Sequence, residues 1–252
     1  MANDELDDIQ SEMNTEVLDG RKDPARYDGE DLSQKTVVEA RVKASPMRAL
    51  KWCGDKTNFY FEVYFELTES DGTQGLRVYK KSDDSLVRDI RVPMGGGDTG
   101  QAQNQIYINN RTIITLLVQQ ILSKSNDLDA LEAAMLAAIS TGRSNPIGYS
   151  GENTAGLSPA QANFSRSPCR TLNWLNSNSP YGFISFTQLR ADGGEQGLKI
   201  YSDDTGQLVK TFSVPVGGGK NADPRKSIYK NNRKILMTAV NVVWKKIQNG
   251  GW

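Results

Sequence analysis

Alternation of apolar and polar residues is the clearest pattern along the chain. Over residues 59–67 apolar side chains fall on every second position, and tyrosine and glutamate fill the positions between them. A period of two predicts a strand with one face in the core and the other in solvent. Less regular alternations predict further strands over 36–52, with a kink at Pro46, and over 76–80 and 86–92.

A helix is predicted after these strands. Pro93 ends the fourth strand, and a glycine-rich segment follows over 95–97. Apolar residues then recur without alternation from Arg111 to Lys124, and Asn109 and Asn110 are side chains that favour a helix N-terminus. The helix is apolar on several sides, which predicts contacts with its own sheet and with another part of the chain or another subunit. The predicted module is β-β-β-β-α.

This module occurs twice in tandem. Residues 45–122 align with 167–244 without a gap at a constant offset of 122, and 26 of the 78 pairs are identical. An internal repeat determines architecture more strongly than local propensity does. The second copy therefore has predicted strands near 161–174, 181–190, 197–202 and 207–214 and a helix over 233–247.

The predicted fold class is α+β, with two tandem β-β-β-β-α repeats whose antiparallel sheets are each backed by a helix and either pack together or join. The predicted boundaries are an acidic disordered tail over 1–34, repeat 1 over 35–125, a helix and linker over 126–159, and repeat 2 over 160–252. The middle helix, Leu128 to Ser140, follows capping residues at 125–127. It has no counterpart after the second copy, so we interpret it as a spacer or interface element.

Charge is distributed unevenly although the net charge is zero. Residues 1–31 hold eleven acidic and three basic residues, whereas residues 160–252 hold five acidic and thirteen basic residues. The acidic tail has few large apolar residues, which predicts disorder. Two interpretations of the tail stay open. It is either a solubilising segment or a nucleic-acid mimic that competes for the basic face or recruits a partner.

Residue types argue against catalysis. The chain has no histidine, which is the commonest general base and the commonest transition-metal ligand. Cys53 and Cys169 are not equivalent in the repeat, and two cysteines alone cannot form a structural zinc site. The triple-glycine segments do not continue into the lysine and hydroxyl residue of a phosphate loop, so a flexible connection explains them better. We predict no enzyme activity, no cofactor and no metal.

The cysteine content and the N-terminus bear on location. Two scattered cysteines are typical of a reducing compartment rather than of a disulfide framework. No stretch approaches the roughly 18 apolar residues that span a bilayer. The first ten residues lack the apolar region of a secretory signal. These features predict a cytoplasmic protein, in the host cytoplasm if it is viral, with no membrane partner.

The outward faces of the predicted strands carry cations and aromatic rings together. Single-stranded nucleic acids are bound by cations along the phosphates and by rings on which bases stack. Arg77 and Tyr79 lie two residues apart and share a face, and the second copy has Lys199 and Tyr201. Cross-strand pairing within the sheet is the alternative role for these tyrosines. The other candidates at outward strand positions are Arg41, Lys43, Tyr60, Tyr64 and Phe186.

Three pairs of repeat-equivalent residues complete the predicted nucleic-acid-binding site: Arg48 and Arg170, Trp52 and Trp174, and Arg111 and Arg233. The two tryptophans share a strand side with an arginine and are interpreted either as core residues or as contacts. The last two arginines stand near a predicted helix start. A cation there opposes the helix dipole, which favours an external anion beside it.

Tandem β-β-β-β-α repeats with a basic, aromatic open sheet resemble the Pur-alpha and Whirly class of single-stranded-DNA-binding transcription regulators. The resemblance covers both repeats and rests on element order and outward residue type. The acidic N-terminal segment and overall layout also resemble the single-stranded-DNA-binding RNA polymerase cofactor of certain podoviruses. These resemblances imply a cytoplasmic or virus-encoded protein that coats unpaired DNA and influences transcription.

The predicted function is binding of single-stranded nucleic acid, with DNA favoured over RNA, in transcription or replication. RNA polymerase is a partner that the podovirus resemblance implies, and a homo-oligomer is expected from the apolar helices. The alternative function is that of a structural, virion or adaptor protein that assembles through those helices.

Overall fold

The structure of the protein is a computed structural model, which describes residues 4–15, 46–70, 72–94, 102–140, 153–162, 168–216 and 224–252. In these ranges the chain forms helices and strands in the following order: α1 (Asp4–Met13), α2 (Pro46–Asp55), β1 (Phe59–Leu67), β2 (Gly72–Lys80), β3 (Leu86–Pro93), α3 (Ala102–Leu122), α4 (Leu128–Ser140), α5 (Pro159–Ala162), α6 (Pro168–Ser177), β4 (Tyr181–Arg190), β5 (Gly193–Ser202), β6 (Leu208–Pro215) and α7 (Pro224–Gln248).

The six strands form one antiparallel sheet in the order β3-β2-β1-β4-β5-β6. The first strand of each repeat joins the halves, because residues 63–67 of β1 pair with residues 185–189 of β4. Phe65 lies opposite Thr187, which is its own equivalent at an offset of 122, and the pairs on either side mirror each other. The halves are therefore related by a pseudo-twofold axis between these two residues. The repeats join in a single sheet and do not pack as two.

Strand pairing is the same in the two repeats. Each β1–β2 pair recurs in β4–β5 at the same offset, and both halves have a β-bulge at one place, between Val78 and Tyr79 and between Ile200 and Tyr201. The predicted strands over 59–67 and 181–190 are confirmed. The next strand of each repeat begins earlier than predicted because its first residues, around Gly72 and over 193–196, pair across the hairpin turn.

The first predicted strand of each repeat is wrong over residues 46–52 and 168–174. Residues 46–55 and 168–177 form helices α2 and α6. Each begins at a proline, Pro46 or Pro168, which suits the first helical turn because it needs no amide partner there. Pro46, Ala49, Leu50 and Cys53 are buried at the spacing of one helix face. Residues 36–45 lie outside the described part. The described unit is α-β-β-β-α, not β-β-β-β-α.

Helices α3 and α7 are longer than predicted, since they begin at Ala102 and Pro224 and not at Arg111 and Arg233. The asparagine side chain hydrogen-bonds to nearby backbone groups and therefore favours helix caps over helix interiors. For this reason the sequence predicted that each helix begins at its Asn-Asn pair. In the structure Asn109 is buried in the body of α3. The capping role predicted for it is therefore wrong.

Buried glutamines of the sheet explain these asparagines. Gln74 of β2 accepts a hydrogen bond from Asn109 Nδ2 at 2.8 Å and donates to Asn110 Oδ1 at 2.8 Å. In repeat 2, Gln196 accepts from Asn231 Nδ2 at 3.2 Å and donates to the carbonyl of Ile228 at 3.1 Å. A satisfied buried amide network sets the position of each helix on its sheet.

The predicted disordered tail contains a helix. Leu6, Ile9 and Met13 of α1 are fully buried, and the helix packs on α7 and β6. Three apolar residues on one face are enough to dock a short helix, although the tail as a whole has the composition of a disordered segment. The prediction of disorder is therefore wrong for residues 4–13, and residues 16–45 lie outside the described part.

Helix α4 is confirmed with its predicted bounds, and α1 is its counterpart. The offset of 122 places Asp7 on Asp129. Asp129 accepts a hydrogen bond from Arg88 of β3, and Asp7 accepts one from Lys210, the equivalent residue of β6. Because α4 packs on α3 and β3 while α1 packs on α7 and β6, each repeat has such a helix at the same place. Of the two interpretations of α4, its packing on α3 and β3 favours an interface element over a spacer.

One hydrophobic core lies between the sheet and the helices and continues through both repeats. Its largest fully buried side chains include Trp52, Trp174, Phe65, Phe183 and Phe212. Cys53 and Cys169 are buried in it as free thiols, and burial raises the pKa of Cys53. The side chains that remain available for a ligand are therefore those on the opposite side of the sheet and on the outer surfaces of the helices.

Candidate functional site

The sheet has a side that faces the helices and a side that faces away. Gln74 contacts α3, Gln196 contacts α7 and Arg88 contacts α4, so these three side chains point to the helix side. Successive residues of a strand point to opposite sides, so their neighbours point away. We call this second side the open face. Its described residues include Tyr60, Glu62, Tyr64, Glu66, Arg77, Tyr79, Asp89, Arg91, Gly182, Ile184, Phe186, Gln188, Arg190, Lys199 and Tyr201.

Two tyrosines of repeat 1 stack on the open face. Tyr60 of β1 and Tyr79 of β2 are opposite each other in the ladder, and their ring centroids lie 4.9 Å apart with an angle of 10° between the planes. Both residues are partly exposed. A cross-strand aromatic pair stabilises the hairpin, and its outer ring surfaces remain available to a further ring.

Each repeat also has a buried ring opposite a glycine. Tyr64 lies opposite Gly75, and Phe186 lies opposite Gly197. A Cβ on Gly75 would stand 1.9 Å from the carbonyl oxygen of Ile90, and one on Gly197 would stand 1.8 Å from the carbonyl oxygen of Phe212. Packing therefore requires glycine at both positions, and the facing ring covers the surface that a side chain would otherwise cover.

Cations lie against these buried rings. The guanidinium carbon of Arg77 is 3.9 Å from the ring centroid of Tyr64, and Nζ of Lys199 is 5.5 Å from that of Phe186. Arg77 and Lys199 are equivalent residues of the two repeats. The cation–π geometry fixes both side chains on the open face.

Carboxylates pair with these cations. Glu62 is fully buried at the centre of the open face, where it accepts from Nη1 of Arg77 at 2.8 Å and from Nε of Arg190 at 2.6 Å. Glu66 accepts from Nζ of Lys199 at 2.6 Å. Arg190 and Lys199 belong to repeat 2 and the two glutamates to repeat 1, so the ion pairs also bind the halves together.

Asp89 of β3 completes the network at one edge. It accepts a hydrogen bond from the hydroxyl of Tyr64 at 2.7 Å and one from Nε of Arg91 at 2.9 Å.

Burial raises the pKa of Tyr64, and the hydrogen bond and charge of Asp89 raise it further. Burial alone would lower the pKa of Arg77, but the hydrogen bond and charge of Glu62 outweigh it and raise the pKa. Tyr64 stays neutral and Arg77 stays charged at physiological pH.

Seven of the predicted site residues come together on the open face: Tyr60, Tyr64, Arg77, Tyr79, Phe186, Lys199 and Tyr201. Tyr64 and Phe186 are buried there, so only their cation partners and neighbouring rings face outward. Arg41 and Lys43 lie outside the described residues.

The two tryptophans do not belong to this face. Trp52 and Trp174 are in helices α2 and α6, are buried in the core, and lie on the helix side of the sheet. Nε1 of Trp174 donates a hydrogen bond to the carbonyl of Leu157 at 2.6 Å. The core interpretation therefore replaces the contact interpretation. Arg48 and Arg170 are in the same two helices, away from the open face.

Arg111 and Arg233 are exposed, but they also lie on the helix side, in α3 and α7. Both positions are well inside their helices. The prediction that they stand near a helix start is therefore wrong, and the dipole argument for an anion beside them no longer applies.

Five charged residues of the open-face network were not predicted as site residues: Glu62, Glu66, Asp89, Arg91 and Arg190. The sequence signal for Arg190 was available, since it continues the alternation of β4 on the side of Phe186. The role of Glu62 had no such signal. Its partners Arg77 and Arg190 lie in two other strands, and only the strand order brings them together.

Among the described residues, no group of three or more histidine, cysteine, aspartate or glutamate side chains has the arrangement of a metal site. No helix in the same ranges is both long and apolar enough to cross a membrane. Comparison of the chain with protein-family models, curated proteins and solved structures finds no match. The open face is therefore the basis for assigning a function.

Proposed function

We propose that the protein binds single-stranded nucleic acid, with DNA favoured over RNA, on the open face of its sheet. One observation carries the proposal. Partly exposed tyrosine rings of both repeats, Tyr60, Tyr79 and Tyr201, stand on the one side of the sheet that the described helices leave uncovered. Arg77 and Lys199 each lie two residues from one of these tyrosines. Rings with interleaved cations are what unpaired strands need, and each stacked base contributes about 1–3 kcal/mol.

The ion pairs of Arg77 and Lys199 determine how much stacking and charge each contribute to binding. Arg77 and Lys199 already contact Glu62 and Glu66, so a phosphate has to compete with these carboxylates. Stacking then supplies more of the binding free energy than charge does. We expect a shallower dependence on salt than an unpaired basic groove gives.

A role in transcription or replication belongs to this proposal and rests on binding of unpaired strands. The described α-β-β-β-α units depart from the element order on which the resemblance to Pur-alpha and Whirly proteins was based. No described contact supports RNA polymerase as a partner. The alternative, assembly through the apolar helices, is weakened because Ile113, Val118, Ile235 and Val240 are buried in the chain's own core.

The test is titration of the full chain with single- and double-stranded DNA and RNA oligonucleotides at several salt concentrations. We expect single strands to bind more tightly than duplexes, because bases in a duplex are already stacked. Replacing Tyr79 and Tyr201 with leucine should weaken binding by about 1–3 kcal/mol for each base that no longer stacks on a ring, with little change in the salt slope.

A matched pair of charge variants locates the surface. Arg77→Ala with Lys199→Ala removes two cations from the open face, and Arg111→Ala with Arg233→Ala removes two from the helix side. We expect the first variant to weaken binding and the second to bind like the parent. Equal effects would indicate a purely electrostatic surface, and absence of single-strand binding by the parent at low salt would refute the proposal.

A further inference from the structure

The open face of repeat 2 has a gap where repeat 1 has a ring. Tyr60 lies opposite Tyr79 and stacks on it at 4.9 Å. The equivalent ladder pair is Gly182 opposite Tyr201, and in the described part of the chain no ring stacks on Tyr201. Tyr201 is partly exposed and stands opposite a residue without a side chain.

Packing does not explain this glycine. A Cβ on Gly182 would meet only Oδ1 of Asp203, at 3.4 Å, whereas a Cβ on Gly75 or Gly197 would collide with backbone. Gly182 is also not among the described glycines with a positive φ. Glycine inside a strand weakens it, because it loses more chain entropy and offers no side chain to pack. The glycine therefore costs stability without a structural need, while the same position in repeat 1 accepts tyrosine.

The surroundings of the gap show which ligand it suits. Its wall is the ring of Tyr201, which favours a flat aromatic ligand at stacking distance. Its edge is the carboxylate of Asp203, which accepts hydrogen bonds from amino groups. Repeat 1 has Lys81 at that position, and its ammonium is turned to the carbonyl of Gly54 at 2.6 Å. A carboxylate beside a base is the arrangement that reads the exocyclic amino group of cytosine.

We propose that Gly182, Tyr201 and Asp203 form a nucleobase slot that takes one unpaired base bearing an exocyclic amino group, and that repeat 1 lacks this slot because Tyr60 fills it. The slot rests on the proposed function and adds to it a position, a stoichiometry of one base, and a base preference.

The first test fills the slot. Gly182→Tyr restores the pair found in repeat 1, and we expect it to weaken binding of an oligo-dC of about 16 nucleotides by about 5- to 150-fold, the effect of removing one stacked base. The matched control is Gly193→Tyr, which adds the same ring at the opposite end of β5, where a Cβ meets nothing within 4 Å. The control should bind like the parent.

A second variant removes the wall of the slot and does not depend on folding of the first. Tyr201→Leu should weaken oligo-dC binding by a similar factor. The double variant Gly182→Tyr/Tyr201→Leu should be no weaker than either single variant, because both changes remove the same stacking interaction. Additive effects would place the two residues in separate interactions and overturn the slot.

The third test addresses base preference. Asp203→Ala should reduce the ratio of oligo-dC to oligo-dT affinity by about 12-fold or more, the value of one hydrogen bond to a charged group. The slope of log affinity against log salt should change by no more than the removal of one charge explains. An unchanged ratio would overturn the amino-group preference. If the parent binds single strands and Gly182→Tyr does so equally well, the slot is refuted and the proposed function stands. If the parent binds none, both fall.

Discussion

The two repeats hold their helices by equivalent contacts on the helix side of the sheet and differ at several positions of the open face. On the helix side, Gln74 and Gln196 hold buried asparagines of α3 and α7, and Arg88 and Lys210 pair with α4 and α1. On the open face, repeat 1 has Tyr60, Glu62 and Glu66 where repeat 2 has Gly182, Ile184 and Gln188. The residues that hold the helices thus recur in both repeats, whereas these three open-face positions differ.

This difference divides the open face into two parts. Repeat 1 has a stacked tyrosine pair beside a fully buried carboxylate that neutralises two arginines. Repeat 2 has a lone tyrosine beside a glycine. In repeat 1 the ring of Tyr60 thus covers one surface of Tyr79, whereas in repeat 2 no side chain stands opposite Tyr201. Four stability predictions test this comparison.

The largest expected effect is at the glycines that face buried rings. Gly75→Ala or Gly197→Ala should destabilise the protein by about 3 kcal/mol or more, because the added Cβ would stand 1.9 or 1.8 Å from a neighbouring carbonyl oxygen. Gly182→Ala should instead stabilise it by about 0.5–1 kcal/mol. Urea denaturation measures all three. A destabilising Gly182→Ala would show that this glycine has a packing role after all.

The next effect tests the equivalence of α1 and α4. Ile9→Ala and Leu131→Ala, at positions related by the offset of 122, should each cost about 2–3 kcal/mol, because both side chains are buried. Ser11→Ala, on the exposed side of α1, is the control and should change little. If Leu131→Ala is costly and Ile9→Ala is neutral, α1 does not complete repeat 2 as α4 completes repeat 1.

The central carboxylate should show an intermediate effect. Glu62→Gln keeps the shape of the side chain but removes its charge between Arg77 and Arg190. We expect the free energy of unfolding to fall by about 2 kcal/mol, because the Glu62 carboxylate is fully buried. Glu66→Gln breaks a partly exposed pair with Lys199 and should cost about 0.5 kcal/mol. It should also strengthen oligonucleotide binding at low salt by freeing that lysine. Equal decreases in stability would contradict the burial argument.

The smallest effect concerns the hydroxyl of Tyr64, whose equivalent in repeat 2 is Phe186. Tyr64→Phe should cost about 1 kcal/mol at neutral pH by removing the hydrogen bond to Asp89. The folded pKa of Tyr64 is raised above its unfolded value of about 10, so its contribution is complete below about pH 10 and falls as pH rises through the folded pKa. Thermal stability measured between pH 8 and 11 should therefore fall more steeply with pH for the parent than for the variant.

The sequence by itself determined the repeat, the strands over 59–67 and 181–190, and helix α4, because a period of two and a capped helix are visible in neighbouring residues. It did not distinguish a helix from a strand over 46–52, since a short apolar run fits either period. It also missed α1, whose three buried residues stabilise a helix only when repeat 2 supplies the surface beneath them.

Only the tertiary structure decided the chemistry of the open face. Alternation placed Arg77, Tyr79, Lys199 and Tyr201 on an outward side, but it could not show which of them are already paired. Glu62 meets Arg190 across 128 positions of sequence because β1 lies beside β4 in one register. Charge pairing and ring stacking depend on distances between strands, and those distances are set by strand order and register, which no local pattern encodes.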